Sequence, residues 1–167
     1  MDKIQKISGV MRWTVVLIAV VVISYLLYQQ WVANTIVYFE NHMLHELWES
    51  DQANNSLVAL LLAPILMLMI LSVYWILALL GQFQQGEFFS PLALRYYVAF
   101  IWTKVAGLLY KMLLGFVVAK WHDALFDSNL LIIQFEFGYL TTLILMGVVA
   151  YLLKAAKAIE DENKEFV

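Results

Sequence analysis

Two lysines interrupt an otherwise apolar stretch in the second half of the chain. Lys104 and Lys111 fall within the run 96–119, and their spacing places them on nearly one face of a helix, about 10 Å apart along its axis. A charge inside a membrane span costs on the order of 3 kcal/mol and usually faces a bundle interior or a water-filled cavity. The two lysines therefore predict a pore lining or a pocket for an anionic ligand. The alternative is that one reaches the interface along its stem, or that either pairs with Glu136 or with backbone carbonyls.

A second group of candidate residues consists of histidines beside carboxylates. His42 and His45 are three residues apart, which puts them on one face of a helix, and His122 is followed by Asp123 further along the chain. Imidazole nitrogens and carboxylate oxygens bind zinc and other divalent ions, so His42, His45 and His122 are candidate metal ligands. Simple solvation of these side chains at an interface is the alternative. Glu49 stands where a metalloprotease would have its second histidine, which argues against a protease.

A third group of residues is suited to holding a protein partner. The C-terminal stretch 160–165 is acidic, with apolar residues on either side of it, and a short polar stretch near residue 86 is followed by an aromatic pair and an arginine. The predicted docking residues are Phe89, Arg95, Ile159, Glu162 and Phe166. A solvated helix end is the alternative interpretation of the acidic run.

Composition predicts the environment in which these residues work. The chain of 167 residues is 63% hydrophobic and 14% charged, with a mean hydropathy of +0.79, which is typical of a membrane protein. Scattered basic residues form no stripe for nucleic-acid phosphates. Zero cysteines exclude disulfides, thiolate metal sites and thiol catalysis. Because a glycine-rich phosphate loop and a G-x-S-x-G motif are also missing, we expect no enzyme.

Four apolar stretches are long enough to cross a bilayer. The stretch 57–80 holds 24 uncharged residues, above the roughly 20 that a span needs. Ser90 before Pro91 is a typical helix start. The first stretch lacks an A-x-A cleavage site, so it predicts a membrane helix and not a cleaved leader. We expect an all-α integral membrane protein in one domain, 1–167, with transmembrane helices at about 13–39, 57–80, 91–120 and 137–157.

The distribution of charge predicts how these spans are oriented. Lysine and arginine concentrate at both termini and in the connection near residue 86, whereas the other two connections are acidic. By the positive-inside rule both termini are cytoplasmic. The outer segment 29–56 carries apolar residues at helical spacing, which predicts an extension of helix 1 or an interfacial amphipathic helix ending near Asp51. We expect the cytoplasmic tail, 155–167, to be a charged helical extension.

Two stretches carry a resemblance to a known family. Residues 86–91, Gly-Glu-Phe-Phe-Ser-Pro, followed by Arg95, and the acidic, asparagine-containing terminus 159–167 resemble the bacterial four-helix membrane proteins grouped as domain of unknown function 2975. The resemblance implies four spans with cytoplasmic termini. Since members of that family are often encoded beside small helix-turn-helix regulators, it also implies a membrane partner or regulator. The resemblance implies no catalytic activity.

Together these features favour one function over two others. The first is a non-catalytic subunit of the bacterial inner membrane, with regulatory or interaction roles carried by its cytoplasmic loop and tail. The second is a small homo-oligomeric channel lined by Lys104 and Lys111, since one protomer has too few helices to enclose a pore. The third is an extracytoplasmic metal sensor. Of the three functions, only this one requires a cofactor, which would be a divalent metal ion. Expected partners are membrane lipids, a cytoplasmic protein and further copies of the chain, without direct nucleic-acid contact.

Overall fold

The protein is all-helical in the part that a computed structural model describes, residues 2–33, 42–50, 52–126 and 137–165. Five helices follow one another there: α1 Asp2–Trp31, α2 His42–Glu49, α3 Asn55–Gln84, α4 Pro91–Phe126 and α5 Phe137–Glu165. Among them, α1, α3, α4 and α5 are long and apolar enough to cross a membrane, and α2 is a short helix between the first two spans. The predicted fold class is confirmed, and the chain is a multi-pass membrane protein.

The apolar surfaces of these helices explain why the fold needs a membrane. No residue in the most apolar window of α1 or of α5 is buried by the rest of the chain. At 1.5 Å per residue, the 30 residues of α3 extend about 45 Å, beyond the ~30 Å hydrocarbon core. A helix satisfies its own backbone groups, so it is stable in lipid even when its side chains face outward.

The beginning of α4 follows the sequence prediction. The Ser90 hydroxyl accepts a hydrogen bond from the backbone N–H of Ala93 at 3.1 Å, and the Ser90 carbonyl accepts one from Leu94. Pro91 occupies the first helical position, where a missing N–H costs nothing. Local sequence is therefore sufficient to start this helix.

The end of α3 is closed by a glycine in the left-handed region. Gly86 has a φ of +82°. Its N–H donates to the carbonyl of Phe83, and the N–H of Glu87 donates to the carbonyl of Gln82. This pair of bonds is a Schellman motif, which satisfies carbonyls that the helix end leaves open. The turn between α3 and α4 therefore covers residues 85–90, a few residues later than the polar stretch 81–86 suggests.

Other helix boundaries differ from the predictions. α1 begins at Asp2 and ends at Trp31, not near residue 39, and residues 34–41 and Asp51 of the outer segment lie outside the described part. Of the two alternatives predicted for that segment, the separate amphipathic helix is present: α2 ends at Glu49, two residues before Asp51. α4 continues to Phe126, past residue 120, because Val118 and His122 in its last turns are buried.

Contacts divide the chain into two compact units. The first comprises Met1–Leu17, Leu68–Ala106 and Glu136–Val167; the second comprises Ile18–Met67 and Gly107–Phe135. Within the first unit, the Arg12 guanidinium donates to the Gln84 side chain at 3.1 Å, and the Tyr97 hydroxyl donates to the Met146 carbonyl at 3.2 Å. These bonds join α1 to α3 and α4 to α5.

The second unit contains the best-packed core of the described residues. Buried side chains from α2, α3 and α4 meet in it: Leu44, Leu47, Trp48, Val58, Leu62, Leu114 and Val118. Pro64 in α3 supplies no N–H to the helix, and close by, the Tyr110 hydroxyl donates to the Leu61 carbonyl at 2.7 Å. This hydrogen bond joins α3 to α4 at the carbonyl next to that of Leu60, which Pro64 leaves without its helical donor.

Candidate functional site

The short helix α2 is amphipathic and packs by its apolar face. Leu44, Leu47 and Trp48 recur at the spacing of one helical face and are buried in the core of the second unit. The opposite face presents His42, His45 and Glu49 to the surroundings. Packing of the apolar face fixes α2 and thereby decides which α4 residues its polar side chains can reach.

Glu46 on α2 is the common partner of two histidines. Its Oε1 lies 2.9 Å from Nδ1 of His42, one turn earlier on the same helix, and its Oε2 lies 2.5 Å from Nε2 of His122 on α4. The His122 side chain is only 6% exposed, compared with 43% for Glu46 and 84% for His42. With the carboxylate ionised, both rings donate an N–H to it, so one acceptor links α2 to α4.

The electrostatics of this cluster favour the ionised carboxylate. The hydrogen bond from His122 is the main cause that holds the pKa of Glu46 below its usual range. Partial desolvation opposes this shift, and the charge of His42 adds to it. The ring of His122 also packs on that of Phe126, with centroids 4.6 Å apart. His122 is therefore held on one side by an aromatic ring and on the other by a carboxylate.

The three predicted metal ligands do not converge. His45 pairs with Glu49 on its own helix at 3.1 Å, whereas His42 and His122 both contact Glu46. Among the described residues, no group of three His, Asp or Glu side chains is arranged to hold a metal ion. The histidines instead form two histidine–carboxylate clusters, and metal binding by His42, His45 and His122 stays a prediction.

The linking role of Glu46 is the feature that sequence reasoning missed. The segment contains a second informative spacing besides the three residues between His42 and His45. His42 and Glu46, and likewise His45 and Glu49, are four residues apart, the distance at which opposite charges pair along a helix. That pattern could have identified both pairs, but the contact with His122 depends on the packing of α2.

The two predicted pore lysines belong to different units. In the first unit, Lys104 is half-buried, with its Nζ 5.4 Å from the centre of the Phe100 ring one turn earlier. The Tyr139 hydroxyl on α5 donates to the backbone carbonyl of Lys104 at 3.1 Å. In the second unit, Lys111 is also partly buried. Glu136, an alternative partner, lies outside the described residues, and the pore assignment stays a prediction.

The predicted docking residues lie in the first unit. Phe89, Arg95, Ile159 and Glu162 are all exposed; Phe166 lies outside the described residues. A small hollow with room for about one water molecule lies between the 85–90 turn, α3, α4 and α5, and is lined mainly by apolar side chains: Leu79, Phe83, Phe88, Phe89, Leu153 and Lys157. The 85–90 turn and the C-terminal part of α5 therefore lie side by side. A docking surface made of both segments requires this proximity.

Comparison with known proteins adds no relative. No protein-family model, curated protein or solved structure matches the chain. The resemblance in residues 86–95 and 159–167 stays a prediction.

Proposed function

We propose that the chain is a non-catalytic subunit of the bacterial inner membrane that binds a cytoplasmic protein. Its binding surface, here called the loop–tail surface, consists of Phe89, Arg95, Ile159 and Glu162. One observation carries the proposal: α5 continues as a helix to Glu165, although its membrane-spanning stretch ends at Ile159. The chain thus extends a charged helix beyond the bilayer, beside the exposed aromatic turn of the same unit.

The orientation of the chain supports a cytoplasmic position for this surface. Seven of the ten basic residues fall at the termini or near the α3–α4 turn: Lys3, Lys6, Arg12, Arg95, Lys154, Lys157 and Lys164. Short loops rich in lysine and arginine stay in the cytoplasm during insertion. This arrangement places α2 and its histidines on the opposite, extracytoplasmic side.

The chemistry of the surface indicates what kind of partner it binds. Residues 160–165 carry four carboxylates and one lysine, and the exposed Phe89 and Ile159 add apolar contacts. A basic amphipathic segment complements both features, because its lysines face the carboxylates and its apolar face covers the phenyl and isoleucine side chains. The proposed partner is therefore a cytoplasmic protein with such a segment.

The proposal is tested with a defined probe and the full chain in phosphatidylcholine nanodiscs. A fluorescent amphipathic helix of leucine and lysine is titrated, and an otherwise identical peptide with glutamate in place of lysine serves as the negative probe. We expect the basic peptide to bind to the wild type and to bind roughly tenfold more weakly to the variant Ile159→Ala with Glu162→Lys, since the apolar contact of Ile159 and the ion pair of Glu162 with the peptide are lost.

A matched variant separates local contacts from net charge. Glu49→Lys changes the charge of the protein by the same amount on α2, in the second unit, and should leave the affinity for the basic peptide within about twofold. Equal affinity for the two peptides, or equal weakening by both variants, would contradict the proposed loop–tail surface.

A further inference from the structure

Arg12 carries a positive charge at the edge of the first membrane-spanning helix. No charged residue follows it in α1, and its side chain is exposed. The guanidinium donates a hydrogen bond to the side-chain oxygen of Gln84 at 3.1 Å, and no carboxylate of the described residues forms an ion pair with it. Since Gln84 is the last residue of α3, Arg12 lies at the level where α3 ends. A charge beside the hydrocarbon region is costly unless an anion or water accompanies it.

Contacts with the end of α3 hold the guanidinium in one orientation. The absence of a side chain at Gly9 makes room for the Gln84 amide, because a Cβ added there would lie 2.9 Å from its Nε2. A Cβ added to Gly81 would lie 4.0 Å from Nη1 of Arg12, so this nitrogen is seated against α3. Of the five N–H donors of an arginine, Gln84 uses one. The others form a fixed planar fork, which matches the paired oxygens of a phosphate.

We propose that Arg12, oriented by Gln84, binds the phosphate of an anionic phospholipid at the boundary of the membrane. The occupant is one lipid molecule, with its phosphate on the guanidinium and its acyl chains along α1. The site shares no residue with the loop–tail surface and does not depend on the proposed cytoplasmic partner.

The side chains next to Arg12 favour a lipid over a soluble anion. Trp13 and Leu17, one turn apart on α1, are 76% and 64% exposed, and no residue in the most apolar window of this helix is buried by the rest of the chain. Acyl chains therefore cover these side chains while the phosphate contacts Arg12. An exposed indole beside a basic residue is typical of the level at which lipid headgroups begin.

The charges around Arg12 favour an acidic headgroup over a zwitterionic one. Lys6 is exposed on the same helix, about 9 Å earlier along its axis, and adds to the positive potential. Glu87 in the turn after α3 is exposed, and within the described part of the chain it forms no ion pair with either cation. A zwitterionic headgroup brings its own ammonium towards these cations, whereas phosphatidylglycerol does not. Basic sites between membrane helices accordingly bind acidic lipids.

Lipid titration of the full chain tests the site. The protein in maltoside detergent is titrated with phosphatidylglycerol or with phosphatidylcholine of the same acyl chains, and bound lipid is counted by native mass spectrometry. We expect the wild type to bind phosphatidylglycerol roughly fivefold more tightly than phosphatidylcholine. Arg12→Gln should weaken phosphatidylglycerol binding roughly tenfold, since a charge-assisted pair of hydrogen bonds is lost.

Lys6→Gln is the matched control for the charge of Arg12. It removes the same charge from the same helix, about one Debye length away, and should leave the affinity for phosphatidylglycerol within about twofold. Equal affinity of the wild type for the two lipids, or equal weakening by Arg12→Gln and Lys6→Gln, would overturn the proposal.

A second pair of variants tests the orientation by Gln84. Gln84→Glu places a carboxylate of nearly the same shape beside Arg12, which then pairs within the chain, so phosphatidylglycerol binding should fall roughly tenfold. Gln85→Glu adds the same charge at the exposed next position and should leave the affinity within about threefold. An equal effect of these two variants would overturn the proposal.

Two further measurements complete the test. Glycerol 3-phosphate at the concentration of the lipid should not displace phosphatidylglycerol, and displacement would overturn the assignment of the site to a lipid. Thermal unfolding followed by circular dichroism verifies that each variant is folded. If Arg12→Gln is not folded, the comparison of Gln84→Glu with Gln85→Glu decides.

Discussion

The carboxylate of Glu46 and the buried imidazole of His122 lie 2.5 Å apart, although 76 positions separate them in the chain. The bond joins a short helix between two spans to the last turns of a third helix. It makes Glu46 the shared partner of His42 and His122. The same helix contains a second, purely local pair, His45 and Glu49. Variants of this pair therefore serve as controls in experiments that vary the pH.

Strong acid should weaken the docking of α2. The pKa of Glu46 is lowered from its ordinary value of 4.5 in the folded state, so its contribution to docking is fully present above that value and is lost as the pH falls through the lower, folded-state value. Hydrogen exchange of α2 should therefore accelerate below about pH 4.5. In Glu46→Gln this acid limb should be absent, and if the limb persists there, another carboxylate is responsible.

Docking of α2 should depend strongly on Leu47. This side chain is fully buried, and truncating a buried leucine to alanine costs about 2–5 kcal/mol. Leu47→Ala should therefore bring exchange of the α2 amides close to that of an unstructured segment. The matched change His45→Ala, at an exposed position, removes only a pair worth about 0.5 kcal/mol. Equal protection in the two variants would show that the apolar face does not hold α2.

Gly86 should resist replacement because of its backbone. A residue with a Cβ at a φ of +82° is strained by about 1–2 kcal/mol, and the added Cβ of Gly86→Ala would also lie 2.8 Å from Nε2 of Gln5, a flexible side-chain end that can shift. We expect a lower melting temperature for Gly86→Ala by circular dichroism. Gly147→Ala, where the added Cβ meets no atom within 4 Å, should not lower it. A lower value for Gly147→Ala alone would contradict this.

Lys104 and Lys111 should not support ion conduction if the chain is an interaction subunit. Liposomes containing the wild type should show no more anion flux than empty liposomes, and Lys104→Gln with Lys111→Gln should change nothing. Flux in the wild type that this double variant abolishes, and that Lys120→Gln on the exposed part of α4 retains, would instead support the homo-oligomeric channel.

Much of the fold could be predicted because local sequence decides it. The uncharged stretch 57–80 requires a helix, since in lipid a single chain segment can satisfy its backbone groups only within itself. Ser90 and Pro91 similarly fix the start of α4 through hydrogen bonds within four residues. Even α2 and its approximate end follow from the apolar spacing within 29–56, although its first residue does not.

The site was less predictable because it depends on contacts between distant segments. The sequence shows His42, His45 and His122, and metal binding is one reasonable interpretation of such a set. Which of them share a partner depends on the rotation of α2 against α4, and that rotation is decided by the burial of Leu44, Leu47 and Trp48. The extension of α4 to Phe126 has the same origin, because its polar last turns are stabilised by the packed α2 helix.

The sequence by itself therefore determined that the chain is helical, that four of its segments can cross a membrane and where the polar residues are concentrated. These properties depend on composition and on interactions a few residues apart. Only the tertiary structure decided that the buried His122 shares Glu46 with His42, and that it does not pair with Glu49. Hydrogen bonds between side chains need atoms within about 3 Å, and such distances are fixed by packing between helices far apart in the chain.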